Sequence, residues 1–152
     1  MRQALGKGGR EKPVTAVRDK LWLWGHEAGS HDNDYGLSIS SRITPAEAAY
    51  YLGIPNVIMV RYHGKPVAPF DQHALALSPL ERVVWFIVGA GGRETEDVKH
   101  VLDLSARFPN ICGAIMDDFF NLKREDGSVG TLTPDELAAI KQQLSAAERR
   151  LD

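Results

Sequence analysis

Four short apolar runs alternate with segments of helical periodicity along most of the chain. The runs begin near residues 21, 57, 83 and 111, so successive starts lie 36, 26 and 28 residues apart. Each run is short and apolar throughout, which is typical of strands that are covered on both faces. Strands and helices that alternate at this spacing predict parallel βα units with right-handed crossovers. The predicted strands are 21–24, 57–60, 83–88 and 111–116.

The same local pattern marks two helix starts, at residues 44–47 and 133–136. In both, a Thr side chain can cap the free amides, Pro suits the first helical position, and Glu can reach back to the cap. Gly53 is expected to end the first of these helices. The second is expected to run to about Arg150, with an inner stripe of Leu137, Ile140, Lys141 and Leu144. Two further helices are predicted between them, a short one over 70–77 and an amphipathic one capped by Thr95.

Two architectures fit this order of elements. One is a small doubly wound open sheet, and the other is the first half of a (β/α)8 barrel, which typically needs about 250 residues. The first strand is not followed by the Gly-x-Gly-x-x-Gly pattern of dinucleotide binders, which weakens the doubly wound interpretation. We favour the half barrel. Its inner sheet face would be exposed, so the chain is then expected to be a fragment or to pair with a second copy.

Length and composition predict one globular domain with a short extension. The chain has 152 residues, of which 43% are hydrophobic and 25% are charged, as in ordinary soluble domains. The first 20 residues carry six basic side chains and a Gly-Lys-Gly-Gly stretch, which predicts a flexible basic arm before a βα-repeat domain at 21–152.

Charge and hydropathy narrow the expected partners and location. The net charge of −2 gives no reason to expect a nucleic-acid partner. No apolar run approaches the ~18–20 residues of a membrane span, and no apolar core follows the basic start as it would in a signal peptide. The single cysteine, Cys112, excludes an internal disulfide. We therefore expect a cytoplasmic protein that binds neither nucleic acid nor membrane.

Acidic residues follow the last predicted strand. Asp117 and Asp118 lie at its carboxyl end, where the active sites of barrel enzymes are built. Glycosidases need two carboxyl groups, one as the acid and one as the base or nucleophile. Consecutive strand residues point to opposite faces, so one aspartate is expected to pair with a carboxylate from another strand, such as Glu27. The alternative is that one aspartate caps a turn and the other is solvated.

A polar loop follows the first predicted strand and contains further candidates. His26 and His31 are predicted to bind substrate, with Glu27 as the second catalytic carboxylate. The same imidazole and carboxylate groups also suit a divalent metal ion. An ordinary polar loop is the alternative for all of them. Trp24 is predicted either to contact a sugar or to lie in the core.

Two arginines at strand ends are candidates for binding an anionic group. Arg61 could hold a carboxylate with two hydrogen bonds, although a salt bridge within the same rim explains it equally well. Arg93 follows a glycine-rich stretch at 89–92, whose exposed amides would suit an anion. A tight turn is the better interpretation of that stretch.

Several of these segments together resemble uncharacterised bacterial proteins related to (β/α)8 glycoside hydrolases. The resemblance covers about two thirds of the chain and only the first half of such a barrel. It implies a barrel fold and a carbohydrate-related role, without a particular reaction. The segments that carry it are Leu-Trp-Gly-His at 23–26, Gly-Ser-His at 29–31, Trp-Phe-Ile-Val-Gly at 85–89, and 113–120.

Three functional hypotheses follow. The first is a carbohydrate-active barrel in which strand-end carboxylates act as acid and base. The second is a metal-assisted isomerase, aldolase or phosphodiesterase, with Mg²⁺ or Mn²⁺ held by His26, Glu27, Asp117 and Asp118. The third is a half barrel that self-associates without catalysis. No organic cofactor is predicted.

Overall fold

A computed structural model describes residues 16–36, 38–88, 97–120, 130–149 and 151. Within these ranges, four strands alternate with four α-helices, which confirms the predicted βα order. No helix in them is long and apolar enough to cross a membrane. The elements are β1 (Leu23–Gly25), α1 (Pro45–Leu52), β2 (Asn56–Met59), α2 (Asp71–Leu77), β3 (Arg82–Val88), α3 (Asp97–Arg107), β4 (Ile111–Met116) and α4 (Pro134–Ser145).

The two predicted helix caps are present. The Glu47 amide donates a 3.2 Å hydrogen bond to Thr44 Oγ1, and the Thr44 amide donates a 2.8 Å bond to the Glu47 carboxylate. Thr133 and Glu136 repeat the arrangement at the start of α4. The predicted end of α4 near Arg150 is wrong, because the helix stops at Ser145. The chain then turns back and buries Leu151 in the core.

The sheet is parallel, and its strands lie in sequential order from β1 to β4. One row across the sheet contains Leu23, Val57, Val83 and Ile111, and the next row contains Trp24, Ile58, Val84 and Gly113. A doubly wound sheet reverses its strand order at a switch point. The described sheet has no such reversal.

The helices pack on one face of this sheet. Phe70, which precedes α2, lies 6.0 Å from Trp85 of β3 and 5.1 Å from His100 of α3, measured between ring centroids. Arg149, which follows α4, donates hydrogen bonds to carbonyls of Ser105 and Pro109 at the end of α3. A single buried cluster joins residues of all four helices to the strands.

The opposite face of the sheet is not covered by any described helix. We call it the uncovered face and define it by Trp24, Ile58 and Val84, which share one row. Trp24 is 47% exposed, and the other two are half-buried. Apolar side chains in the middle of a parallel sheet are normally buried on both faces. Among the described residues, this row is therefore apolar surface without a covering layer, whereas Phe86 and Val88 further along β3 are buried.

A short 3-10 turn, Val17–Lys20, closes the amino-terminal end of the sheet. The buried side-chain amide of Asn56 donates to the carbonyls of Asp19 (3.0 Å) and Leu21 (2.8 Å). The same side chain accepts a 2.9 Å bond from Arg82 Nε. The last residues of the predicted basic arm are thus part of the fold, whereas residues 1–15 lie outside the described ranges.

Candidate functional site

Aromatic and imidazole rings gather where β1 and β2 end. The His31 ring stacks on Tyr62 with 4.2 Å between centroids and meets His26 edge-on at 4.4 Å. Tyr62 in turn stacks on His63 at 4.1 Å, and Tyr35 lies 5.6 Å from His31. We call these five residues the ring cluster. They come from two loops, and each loop follows one of two paired strands.

The ring cluster continues the uncovered face. Trp24 lies in β1, and His26 directly follows this strand. Their ring centroids lie 6.5 Å apart. Tyr35 is 78% exposed, and the His63 side chain is also exposed. The carboxyl edge of β1 and β2 thus presents several ring surfaces to solvent.

Polar groups of the ring cluster carry unused hydrogen-bonding capacity. The Asp34 carboxylate lies 3.7 Å from His31 Nδ1 and 3.9 Å from His63 Nδ1, beyond hydrogen-bond distance. Within the described part of the chain, Nδ1 of His26, Nδ1 of His31 and Oδ2 of Asp34 are buried without a hydrogen-bond partner. These three atoms can therefore form further hydrogen bonds.

The His26 and Tyr62 side chains of the ring cluster are both mainly uncharged near neutral pH. Burial lowers the pKa of His26, and the neighbouring His31 lowers it further. The hydrogen bond with Tyr35 raises the pKa of Tyr62 to about 12, with further contributions from burial and from the charge of Asp34. Neutral hydroxyl and imidazole groups suit a neutral, hydroxyl-rich ligand better than an ionic one.

Acidification should destabilise the fold through His26. Because its pKa in the folded state lies below the ordinary value of 6.5, the unfolded chain binds the proton more readily. The stability contribution of the neutral ring is therefore complete above pH 6.5 and is lost as the pH falls through the folded pKa. We expect the free energy of unfolding, measured in urea between pH 7.5 and 5, to fall less in His26→Gln than in the wild type. A pH dependence that is identical in both proteins would contradict this, and His63→Gln is the matched control from an exposed position.

Glu27 lies on the other side of the sheet from His26. Its carboxylate is 3.8 Å from Nε2 of His73 on α2. Both side chains line a cavity of about 260 Å³ between α1 and α2, together with Thr44 and Met59. The structure therefore separates Glu27 from the ring cluster, and the position of its side chain does not favour the predicted catalytic role.

Asp117 and Asp118 lie in a turn, because β4 ends at Met116. The Asp117 amide still donates to the carbonyl of Val88 at 2.9 Å, and the Asp118 amide donates to the Asp117 carboxylate at 2.9 Å. Burial raises the pKa of Asp117, and the charge of Asp118 raises it further, while that amide bond opposes the change. The strand alternation on which the expectation of opposite faces depended ends at Met116, before either aspartate.

Left-handed backbone conformations concentrate at this same edge of the sheet. In the described ranges, four residues other than glycine have positive φ, and all four lie in loops that follow β1, β2 or β4. Such conformations cost about 1–3 kcal/mol each and cluster at functional sites. The four residues are Asn33 (70°), Tyr35 (53°), His63 (49°) and Asp118 (49°).

Arg61 does not serve as a free anion-binding group. It is buried, and its guanidinium forms two hydrogen bonds with the Asp97 carboxylate, at 3.2 and 2.9 Å. The ring of Phe86 lies 4.4 Å from the guanidinium carbon. The salt bridge is therefore the interpretation that the structure supports, and it joins the end of β2 to the start of α3. The other candidate arginine, Arg93, lies outside the described residues together with the glycine-rich stretch 89–92.

Sequence reasoning missed Tyr35, Tyr62 and His63 as parts of the site. The available signal was the position of Tyr62 directly after a strand, which it shares with His26. No local signal places Tyr35 beside it, since their hydroxyl oxygens meet at 3.4 Å only after the two loops fold together.

The described residues contain no group of three or more His, Cys, Asp or Glu side chains arranged to hold a metal ion. No protein-family model, curated protein or solved structure matches the chain. The resemblance to barrel glycoside hydrolases therefore stays a prediction, and the case for a function depends on the geometry of the site.

Proposed function

We propose that the carboxyl edge of this sheet binds a carbohydrate and that Asp117 acts as a general acid in its hydrolysis. The observation that carries the proposal is the ring cluster on the uncovered face. It lies where βα proteins place their ligands, at the ends of parallel strands. The proposed architecture is one half of a (β/α)8 barrel, supported by the sequential strand order and by helices on a single face.

The surface chemistry of the ring cluster matches that of a sugar. A pyranose presents apolar C–H faces and a rim of hydroxyl groups. The rings of Trp24, Tyr35 and His63 offer exposed faces, and aromatic faces carry partial negative charge that attracts C–H groups. Imidazole nitrogens, phenol hydroxyls and the Asp34 carboxylate supply donors and acceptors for the hydroxyl rim.

Asp117 has the environment that a general acid needs. Its raised pKa keeps the proton available closer to neutral pH than in an ordinary aspartate. In the proposed reaction, this proton passes to the glycosidic oxygen as its bond to the anomeric carbon breaks. Water adds its hydroxyl to that carbon, and its remaining proton passes to the Asp117 carboxylate, which restores the acid.

Calorimetric titration with cellotriose, xylotriose, maltotriose and chitotriose tests the binding part of the proposal. We expect at least one of them to bind. Tyr62→Ala should weaken that binding by roughly 2- to 10-fold, because it removes the ring on which His31 and His63 stack. Tyr50→Ala is the matched control, because Tyr50 is 90% exposed on α1, away from the ring cluster. Failure of all four sugars to bind, or wild-type affinity in Tyr62→Ala, would count against a sugar site.

A further inference from the structure

We infer that a second copy of this chain covers the uncovered face and closes an eight-stranded barrel. The two outer strands of the sheet are β1 and β4. β1 (Leu-Trp-Gly) and β4 (Ile-Cys-Gly-Ala-Ile-Met) contain no charged residue and no proline. Proteins with permanently exposed edge strands protect them with such residues, so both edges have the character of strands that are paired in the assembled protein.

The two free edges are complementary in a single closed arrangement. All four strands are parallel and sequential, so a twofold axis parallel to the strands would place β4 of each copy beside β1 of the other, with every strand pointing the same way. Both edges are then used, and no open end remains. Two four-stranded sheets together supply the strands of a barrel of about eight strands, the size at which inward side chains just fill the interior.

The uncovered face has the composition of a barrel interior. Trp24, Ile58 and Val84 form its middle row and are apolar, which is costly on a solvated surface. Burial of this row against its counterpart removes the cost. A formal net charge of only −2 per chain adds little repulsion between two copies.

Closure would also complete the site, a consequence that rests on the proposed function. Along one sheet, the ends of β1 and β4 are separated by three strand spacings, roughly 14 Å. In the closed pair, β4 of one copy is one spacing, about 5 Å, from β1 of the other. Asp117 of one copy then stands beside the loop that carries His26 and His31 of the other. Each carbohydrate site is shared between two chains.

Light scattering on the full chain tests the pairing without reference to activity. We expect twice the chain mass of 16.8 kDa. Trp24→Lys and Ile58→Lys should each give the mass of one chain, because a lysine would place its charge inside the barrel. Tyr50→Lys makes a similar change on the outer surface of α1 and should remain a dimer.

Thermal unfolding shows whether each variant is folded. Trp24 is half exposed in the single chain, so a lysine at that position is compatible with the fold of one copy. If one interface variant fails to fold, the solution masses of the other variant and of the wild type test the pairing. A wild type with the mass of one chain, or folded interface variants that all remain dimers, would overturn the inference.

Mixing two defective chains tests the shared site. Asp117→Asn and the double variant His31→Ala/Tyr62→Ala should each keep only a small fraction of the wild-type rate as pure dimers, assayed at substrate concentrations far below KM. After the two are unfolded and refolded together in equal amounts, about half of the dimers are mixed, and each mixed dimer has one intact site. We expect recovery of about one quarter of the wild-type rate of oligosaccharide hydrolysis.

The two proposals can fail separately. Absence of recovery in folded mixed dimers would overturn the shared site and leave the calorimetric binding result unchanged. A wild type that binds no sugar and hydrolyses none would overturn the proposed function, and light scattering would still decide the pairing.

Discussion

Asp117→Asn should lower the rate of oligosaccharide hydrolysis by about 100- to 10,000-fold, the usual contribution of a general acid. Asparagine has the same shape and keeps the oxygen that accepts the Asp118 amide, but it has no proton to give to the leaving oxygen. A 2,4-dinitrophenyl glycoside of the same sugar needs no such proton, because its leaving group is a weak base. The variant should therefore lose far less activity on the aryl glycoside than on the oligosaccharide.

Stability and a neighbouring variant serve as controls for this result. Since the pKa of Asp117 is raised in the folded state, its ionisation at pH 7 opposes folding, and this contribution favours the fold only at low pH. Asp117→Asn should then unfold at the same temperature as the wild type or higher at pH 7. Asp118→Asn should move the pH dependence of the hydrolysis rate to lower pH, because it removes a charge that raises the Asp117 pKa. Equal losses on both substrates would exclude Asp117 as the acid.

Arg61→Ala should lower the free energy of unfolding by about 3–5 kcal/mol, measured by urea denaturation. The substitution leaves the Asp97 carboxylate buried without its two guanidinium hydrogen bonds. It also removes the cation from the face of Phe86, where the distance is 4.4 Å. The loss is large because both charges of this pair are buried, whereas an exposed ion pair contributes only about 0–1 kcal/mol.

A double variant separates the buried charge from simple loss of packing. Arg61→Met/Asp97→Ala removes both charges and keeps a long apolar side chain against Phe86. It should recover a large part of the stability that Arg61→Ala loses. A double variant less stable than Arg61→Ala, or a single variant that loses under about 1 kcal/mol, would mean that the pair does not stabilise the fold in this way.

Local signals explain why the order of elements could be predicted. β4 is an unbroken apolar run, and its predicted bounds coincide with Ile111–Met116. The cap at Thr44 and the left-handed Gly53 define α1 from a few adjacent residues. The end of α4 could not be predicted in this way, because the buried position of Leu151 depends on the rest of the core.

The site depends on contacts that the sequence does not display. The direction of Glu27, away from His26, follows from where β1 ends and where α2 packs. The Arg61–Asp97 pair spans 36 residues and forms only when α3 packs beside β2 and β3. Strand-end positions could still be predicted, and they identified His26 and Asp117 as groups at the edge of the sheet.

The most direct test of the carbohydrate site is a ¹H–¹⁵N NMR titration of the wild type with the tightest-binding trisaccharide. The proposed site predicts chemical-shift changes concentrated at Trp24, His26 and residues 31–35, 62–63 and 117–118, with Glu27, α1 and α2 unaffected. Changes confined to the cavity beside Glu27 and His73, or no changes at any of these positions, would contradict a carbohydrate site at the carboxyl edge of the sheet.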